Sequence, residues 1–508
     1  MPVAPSRLDA LTSDQSGSTG DRDLHHCLLA LVSAYPAGRC SMISIVAADG
    51  VIRECLPDET LLVFLSDTHI GGSSGGDIFD SGAELTMLLE DLHHYEGPVE
   101  LVLAGDFLDV LRMEDVGGGD PVAATLARAE YRELFATLRA FAGAEGHRVV
   151  YVVGNHDAEL WWNPRIRGTL QEAGLVDVVA LSYAASFASL PDQLVYCEHG
   201  NQFDPASAIS DYANPLDTPV SAHVLAEMIR PIGAETVAIG GVDLGEVRYV
   251  FPLAAHPGPA EWIAGRIFYR FFDQLLRWLL ATLALLVVAY VAYGGLAVVL
   301  GRAGGGLRVL GSVLGDVTYG LVVLVFALVV VFLVGRRTTE HAVSILGSRF
   351  PGPGSGRSWD EQAIRRLLED RRPPPLAGDP SGPTPAVFVS GHTHAPALAE
   401  LAAADGRRTV LANTGCWLRQ LQPVPAWLGG PPVFVPAYVH THVRVRSSPG
   451  GVIVELWEHP RPAERSLPWI ERAAIAGRMP PQSAAAVGPR LLGRQVAGRP
   501  ALPGGDAR

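Results

Sequence analysis

Continuous apolar runs, each followed directly by a polar cluster, recur along the chain. This pattern predicts strands buried on both faces, with helices between them where leucine and aromatic residues recur at helical spacing. The predicted strands are Leu61–Leu65, Val99–Leu103, Arg148–Val153, Gln193–Cys197 and a short run at Ala386–Val389, and the predicted helices are Gly82–His94 and Ala123–Ala142. Ligand sites of α/β sheets lie at the carboxyl ends of strands. The chain is therefore expected to be an α/β protein whose site collects the residues that follow these strands.

The residues at the strand ends are carboxylates, imidazoles and one amide, with no thiolate among them. They are Asp67, His69, Asp106, Asn155, His199, His392 and His394. Such ligands suit Mn, Fe or Zn, of which we favour Mn, and they disfavour a sulfur-rich structural zinc site. Seven ligands exceed the needs of one tetrahedral ion. With Asp106 bridging, they could hold two divalent ions roughly 3.5–4 Å apart, the spacing used in phosphoryl hydrolysis.

Two long uncharged stretches, Trp278–Leu300 and Val317–Gly335, interrupt this pattern. Each is long enough to cross roughly 30 Å of hydrocarbon, although two buried core helices would share the composition. The preceding stretch Trp262–Arg277 mixes aromatic residues with arginines, which favours a helix at the headgroup level. A transmembrane hairpin would return the chain to one compartment, so that both parts of the site can meet. More arginines flank its open end than its loop, which predicts a catalytic domain facing the cytoplasm.

These features predict six segments. An N-terminal, partly disordered region is expected at 1–50, and the two parts of the catalytic domain at 51–260 and 386–460. The interfacial helix and hairpin are expected at 261–340, a Pro/Gly-rich linker with a short helix (Asp360–Arg371) at 341–385, and a disordered tail at 461–508.

Composition narrows the function classes. The formal net charge is −14 and no Lys/Arg block is present, so a nucleic-acid partner is not expected. The five cysteines are scattered without zinc-ligand or redox spacing, which indicates reduced thiols in a cytoplasmic setting. The charged N-terminal residues are unlike a secretory signal peptide. The sequence says nothing about oligomeric state.

Five motifs occur in a fixed order, each after an apolar run. They are Asp67-Thr68-His69, Gly105-Asp106-Phe107-Leu108-Asp109, Gly154-Asn155-His156-Asp157, His199-Gly200 and Gly391-His392-Thr393-His394. The set resembles the calcineurin-like metallophosphoesterase family over roughly residues 60–205 and 385–455. The resemblance implies a four-layer α/β/β/α sandwich that binds two divalent metal ions and hydrolyses phosphate esters or anhydrides through a metal-bridging hydroxide.

The same resemblance implies a role for each site residue. Asp67, His69, Asp106 and His394 would hold one metal ion, and Asp106, Asn155, His199 and His392 the other. The catalytic pair would be His156, which stabilises the transition state or protonates the leaving oxygen, and Asp109, which holds the imidazole. Outside this set, Asp157 is expected to be a turn residue, and His440 and His442 are expected to be structural.

Departures from the family pattern bear on the substrate. Phosphoprotein phosphatases of the family carry arginine and glycine after the second aspartate, whereas Val110 and Leu111 follow Asp109 here, which argues against a phosphoprotein. Arg112 or Arg165 could replace the missing arginine. The motif around Asp67, together with a membrane segment, is similar to the branch that includes UDP-2,3-diacylglucosamine hydrolases. We therefore expect a phosphate ester or pyrophosphate as substrate, with lipid-linked compounds among the candidates. The alternatives are a phosphodiesterase for a soluble nucleotide-type substrate and a catalytically dead membrane scaffold.

Overall fold

The apolar runs form strands of stacked sheets in the structure, a computed structural model. The strands in chain order are β1 Val51–Leu56, β2 Leu61–Leu65, β3 Val99–Ala104, β4 His147–Val152, β5 Val178–Ala180, β6 Ser182–Phe187, β7 Leu190–Cys197, β8 Ala238–Ile239, β9 Val242–Asp243, β10 Val387–Ser390, β11 Ala397–Ala402, β12 Arg408–Asn413, β13 Trp417–Val424, β14 Val433–Ser448, β15 Gly451–Glu458 and β16 Arg490–Ala497. One sheet has the order β1-β6-β7-β10-β12-β11, and the larger has the order β16-β15-β14-β2-β3-β4-β5, with β13 also paired to β14. Within the described residues, strands β8 and β9 form a separate two-stranded sheet.

The helices differ greatly in length. In chain order they are α1 Gly82–His93, α2 Pro121–Leu126, α3 Arg132–Ala142, α4 Glu159–Trp162, α5 Pro164–Glu172, α6 Val220–Val224, α7 Gly258–Val299, α8 Gly306–Arg349 and α9 Trp469–Ala474. The structure describes residues 50–72, 77–113, 119–229, 238–239, 242–243, 246, 249, 258–299, 306–349, 385–402, 408–480 and 488–497. Nearly all of the N-terminal segment expected at 1–50, and the helix expected at Asp360–Arg371, lie outside these residues.

Strand β2 shows how the layers form. Leu61, Val63 and Leu65 point to one face and join the core that packs against α1, α3 and α5. Leu62 and Phe64 point to the other face and join the core between the two sheets, because alternate side chains of a strand point in opposite directions. All five residues are buried, as expected of a parallel strand between two layers.

The predicted mixed α/β class is confirmed. Strands β2, β3, β4 and β5 run parallel, as do β7, β10 and β12, so their carboxyl ends lie along common edges. The far side of the smaller sheet carries a third apolar cluster. Within the described residues this cluster includes Tyr196, Phe388 and also Phe203, which belongs to a short 3-10 turn after β7.

Helix α7 contains the first uncharged stretch as far as Val299, and helix α8 contains the second. Both are long and apolar enough to cross a membrane, and none of the residues in the most apolar part of either is buried. The separate interfacial helix expected at Trp262–Arg277 is not observed, because this stretch forms the first half of α7. Its aromatic residues Phe268 and Tyr269 are buried against the ends of β13 and β14 and against α9.

Two further expectations are corrected. The tail expected to be disordered from 461 contains α9, and it contains β16, which pairs along β15 and buries Ala497 between the sheets. Pairing removes the exposed edge that β15 would otherwise present. The helix expected at Ala123–Ala142 is interrupted, since Arg128 adopts an extended backbone (ψ 140°) that separates α2 from a 3-10 turn and α3.

Candidate metal centre

The predicted ligands are brought together at the carboxyl ends of five strands. Asp67 and His69 follow β2, Asp106 follows β3 and Asn155 follows β4. His199 follows β7, and His392 and His394 follow β10. All seven are buried, with at most 7% of any of them exposed. Both sheets therefore contribute to one enclosed site, although residues 200–385 separate its two parts in the sequence.

The backbone around the ligands is unusual. Left-handed φ angles occur at Asp67 (54°), His69 (50°), Asp106 (52°), His392 (68°) and His394 (58°). Such angles are uncommon outside glycine and are strained for these side chains. Strained residues persist where the surrounding structure holds them, and they cluster at functional sites. Five of the seven predicted ligands share this conformation.

Glycines before three of the ligands allow the loops to approach closely. A Cβ atom on Gly105 would lie 2.3 Å from Nδ1 of His199, and one on Gly154 would lie 2.2 Å from Oδ1 of Asp106. A Cβ atom on Gly391 would lie 2.4 Å from Oδ2 of Asp67. Any side chain at these positions would displace a ligand, which explains why glycine precedes the ligands in the sequence motifs.

The first ligand cluster contains Asp67, His69 and His394. Nε2 of His394 lies 3.1 Å from Oδ1 of Asp67 and 3.2 Å from Nε2 of His69. Nδ1 of His69 lies 3.3 Å from a carboxylate oxygen of Asp109, so it carries the proton and leaves the Nε2 lone pair directed at the cluster. An acceptor set of this kind suits a divalent cation.

The second cluster contains Asp106, His199 and His392. Nδ1 of His199 donates to the carbonyl of Ala104 at 2.9 Å, so its Nε2 lone pair faces Oδ2 of Asp106 at 3.2 Å. Two acceptors at this distance repel each other unless a proton or a metal ion lies between them. Oδ1 of Asn155 is buried and has no hydrogen-bond partner among the described residues, as expected of a ligand atom.

Asp106 is placed between the two clusters. Its Oδ2 lies 3.2 Å from Nε2 of His199 and 3.8 Å from Nε2 of His69, while its Oδ1 accepts the backbone N–H of His156 at 2.8 Å. The carboxylate is thus fixed through one oxygen and directs the other toward both clusters. This geometry fits the bridging role expected for Asp106, and the donor set fits two divalent ions.

Beside the clusters, Asp109 is a buried carboxylate with three partners. It lies 3.0 Å from Nδ1 of His156 and 3.3 Å from Nδ1 of His69, and it forms an ion pair of 2.9 Å with Nε of Arg112. Burial disfavours protonation of His156, but the charges of Asp109 and Asp106 outweigh burial and raise the pKa of the imidazole. Burial opposes ionisation of Asp109, yet the charge of His156 and its hydrogen bonds hold its pKa well below the usual range.

The two arginines considered as phosphate ligands lie in different surroundings. Arg112 is only 7% exposed and is engaged with Asp109, so its position supports the catalytic pair. Arg165 lies exposed at the start of α5. Asp157, expected to be a turn residue, accepts the N–H of Gly154 and the hydroxyl of Tyr151 and closes the turn that presents Asn155 and His156.

Sequence reasoning missed Asp204. Its Oδ2 lies 3.2 Å from Nε2 of His392, so it orients this predicted ligand and leaves Nδ1 for a metal. A carboxylate behind a ligating histidine is a common feature of metal sites. Asp204 follows the polar cluster at His199 by five residues, and no strand signal marks it. The hydroxyls of Ser66 and Thr414, which contact each other beside Asp67, were also missed.

Comparison with protein families agrees with this geometry. Residues 60–236 match the family of calcineurin-like phosphoesterases. The chain contains a calcineurin-like phosphoesterase domain. The family is one of metal-dependent hydrolases, and the matched range carries Asp67, His69, Asp106, Asn155 and His199. His392 and His394 lie beyond this range, and the fold brings them to the same two ligand clusters. No curated protein matches the chain.

Proposed function

We propose that the protein is a membrane-anchored phosphoesterase with two metal sites that hydrolyses a phosphate ester or pyrophosphate. The observation that carries this proposal is the pair of ligand clusters joined at Asp106 with His156 beside them. Asp67, His69 and His394 would hold one ion, Asn155, His199 and His392 the other, and Asp106 both. Ions bound there would neutralise phosphate charge and lower the pKa of a coordinated water. Mn²⁺ is the ion we favour.

His156 is proposed as the proton donor to the leaving oxygen. It is the least buried of the site imidazoles, with 18% of its side chain exposed, so it can reach a bound substrate. Asp109 fixes the proton on Nδ1 and favours the charged ring, because its carboxylate lies 3.0 Å away. Arg112 balances the charge of Asp109 from the other side at 2.9 Å. These contacts support a positioned general acid.

The membrane proposal rests on α7 and α8. Their apolar stretches have mean hydropathies of 2.2 and 3.0, and these stretches are exposed, unlike a core helix of a soluble domain. Arg266, Arg270, Arg277, Arg336 and Arg337 flank the open end of the hairpin, and by the positive-inside rule they favour the proposed cytoplasmic catalytic domain. Anchoring close to the bilayer suits a lipid-linked substrate.

The test is hydrolysis by the purified full chain in detergent with Mn²⁺. Three probes distinguish the substrate classes: an aryl phosphodiester, an aryl phosphomonoester and a UDP-linked lipid pyrophosphate. Asp106→Asn and His156→Ala should each lower turnover at least a hundredfold, whereas His94→Ala, at an exposed position after α1, should not. Preference for the aryl diester over the lipid would favour a soluble nucleotide-type substrate.

If no hydrolysis is observed, metal analysis of the purified protein distinguishes an inactive protein from an active one that was assayed with unsuitable substrates. If wild type binds two ions per chain but turns over none of the probes, the phosphoesterase proposal stands with another substrate. If the protein binds no divalent ion and hydrolyses nothing, the proposal is wrong and a membrane scaffold with a dead phosphoesterase domain replaces it.

A further inference from the structure

The turn between β13 and β14, residues 425–432, exposes two large apolar side chains. Trp427 is 50% exposed and Leu428 is 80% exposed. Most exposed apolar residues of the described structure belong to α7 and α8. This turn is a separate apolar projection of the catalytic domain, with prolines at 425, 431 and 432 around it. We call it the Trp427 turn.

Leu428 is held in an unfavourable conformation. Its backbone has φ 58° and ψ 18°, the left-handed region that favours glycine, although Gly429 and Gly430 follow it directly. Leucine there is strained, and its exposed side chain recovers little by packing within the described structure. An apolar residue kept at a strained and exposed position indicates an apolar partner outside the chain's own fold.

Contacts with the hairpin fix the position of the Trp427 turn along helix α8. Nη1 of Arg336 donates to the carbonyl of Leu428 at 3.3 Å, and the hydroxyl of Tyr269 donates to the carbonyl of Pro431 at 2.6 Å. A Cβ on Gly430 would lie 3.6 Å from Cζ of Phe332. Phe332 lies in the last turn of the uncharged stretch Val317–Gly335, and Arg336 is the first charge after it. The turn therefore sits where the apolar surface of α8 ends.

The residues around the turn suit a bilayer surface. The guanidinium of Arg478 stacks on the indole of Trp427 at 3.7 Å, and the indole donates to the carbonyl of Ala476 at 2.8 Å. Arg337 is exposed at the same end of α8. Tryptophan and arginine together are typical of the boundary between hydrocarbon and headgroups, where the rings are amphipathic and the cations meet lipid phosphates.

We propose that the Trp427 turn is a third membrane contact, with Leu428 and Trp427 inserted among phospholipid headgroups of the bilayer that the hairpin spans. This inference rests on the proposed membrane anchoring. Its consequence is a fixed orientation of the catalytic domain, since α7, α8 and the turn are three separate points of contact.

The contact also bears on the distance between bilayer and active site. The backbone N–H of Trp417 donates to the carbonyl of Asp67 at 3.1 Å. Strand β13 runs from Trp417 to Val424, which lies beside the turn. Its eight residues span roughly 23 Å at the usual rise of a strand. Because the metal centre lies beyond Trp417 and the Trp427 turn lies beyond Val424, the length of β13 sets the approximate separation of the two.

Site-specific photocrosslinking in proteoliposomes tests the proposal. p-Benzoylphenylalanine replaces Leu428 in the full chain, or Val325 in the apolar part of α8, or Met87 on α1. All three side chains are more than half exposed. The vesicles contain phosphatidylcholine and phosphatidylglycerol, and adducts are identified by mass spectrometry after irradiation. Lipid adducts are expected at 325 and 428, with a yield at 428 at least fivefold above that at 87.

Each other outcome has a definite meaning. Adducts at 325 but none at 428, equal yields at 428 and 87, or crosslinks from 428 to another protein chain would each overturn the proposed contact. Absence of adducts at 325 would overturn the membrane anchoring and this inference with it. None of these outcomes bears on the proposed metal-dependent hydrolysis, which is measured separately with detergent-solubilised protein.

Discussion

Replacing Asp109 by asparagine changes a buried carboxylate that serves three partners without changing its size. The wild-type oxygens lie 3.0 Å from His156, 3.3 Å from His69 and 2.9 Å from Arg112. Asparagine keeps one acceptor oxygen but loses the negative charge. The charge of Arg112, which is 7% exposed, then has no counter-charge from this side chain. Of the two carboxylates that raise the pKa of His156, only Asp106 then opposes the effect of burial.

The size of both effects follows from these contacts. Removing one member of a buried ion pair costs about 3 kcal/mol of unfolding free energy, which lowers the melting temperature by roughly 3 °C in a chain of this size. Turnover should fall by about 10²–10⁴-fold, the usual contribution of a positioned general acid. Because the pKa of His156 is raised by Asp109, Asp109→Asn lowers this pKa. The activity lost as pH rises should therefore be lost at a lower pH in the variant.

Asp157→Asn is the matched control. Asp157 is also fully buried, in the loop after β4. Burial and the charge of Asp106 raise its pKa to about 7. Its carboxyl group is thus partly neutral near pH 7. Replacing it by asparagine should lower the free energy of unfolding by about 1 kcal/mol, the usual contribution of one hydrogen bond. The assay is the pH dependence of kcat with Mn²⁺, beside thermal unfolding of each variant. An unshifted profile in Asp109→Asn, or equal losses in both variants, would refute the assigned role of Asp109.

Three further predictions concern metal, acid and the base of the hairpin. Chelation should abolish turnover and lower the melting temperature, and restored Mn²⁺ should reverse both changes with a stoichiometry of two ions per chain, since ions bound only to the folded state stabilise it. His440 and His459, whose pKa values burial lowers to about 3 and about 4, bind protons mainly after unfolding. The free energy of unfolding should therefore fall as pH drops below about 6.5, with each of the two histidines contributing a loss of about 2 kcal/mol at pH 5. In urea titrations, His440→Gln should make the free energy of unfolding depend less on pH. Arg266 binds both oxygens of buried Glu471 at 3.0 Å. Arg266→Met should therefore speed hydrogen exchange in α9 at least tenfold, and Glu471→Leu added to it should restore protection.

The strands and most of the site could be predicted because each depends on local sequence. A parallel strand between two layers needs a continuous apolar run, and Leu61–Leu65 is such a run from end to end. The ligands directly follow these runs, so the position of a strand end also locates Asp67, Asp106 and His199. Glycines at close approaches, such as Gly105 against His199, leave a further local mark.

The features that were missed depend on the tertiary structure. Asp204 orients His392 from a loop that bears no strand or helix signal, and only the fold brings the two side chains within 3.2 Å. Strand β16 lies in a stretch rich in Arg, Gly and Ala, and its order comes from pairing with β15. The break at Arg128 follows from contacts of its side chain with Gly72 and Glu130, which no helical periodicity records.

The position of the hairpin within the catalytic domain follows from strand order. Strands β7 and β10 are parallel neighbours in the smaller sheet, with Val195 opposite Val387, so the chain leaves at the carboxyl end of β7 and re-enters at the amino end of the neighbouring strand. The entropic cost of closing a connection between two fixed points grows only slowly with its length. The inserted hairpin also contributes to the packing of the catalytic domain.

Trp262 is completely buried, and Phe268 and Tyr269 pack with Val424 and Val433. Removing the hairpin would expose this cluster at the end of the β13–β14 pair whose other end meets Asp67. The base of the hairpin is therefore part of the structure that supports the metal centre.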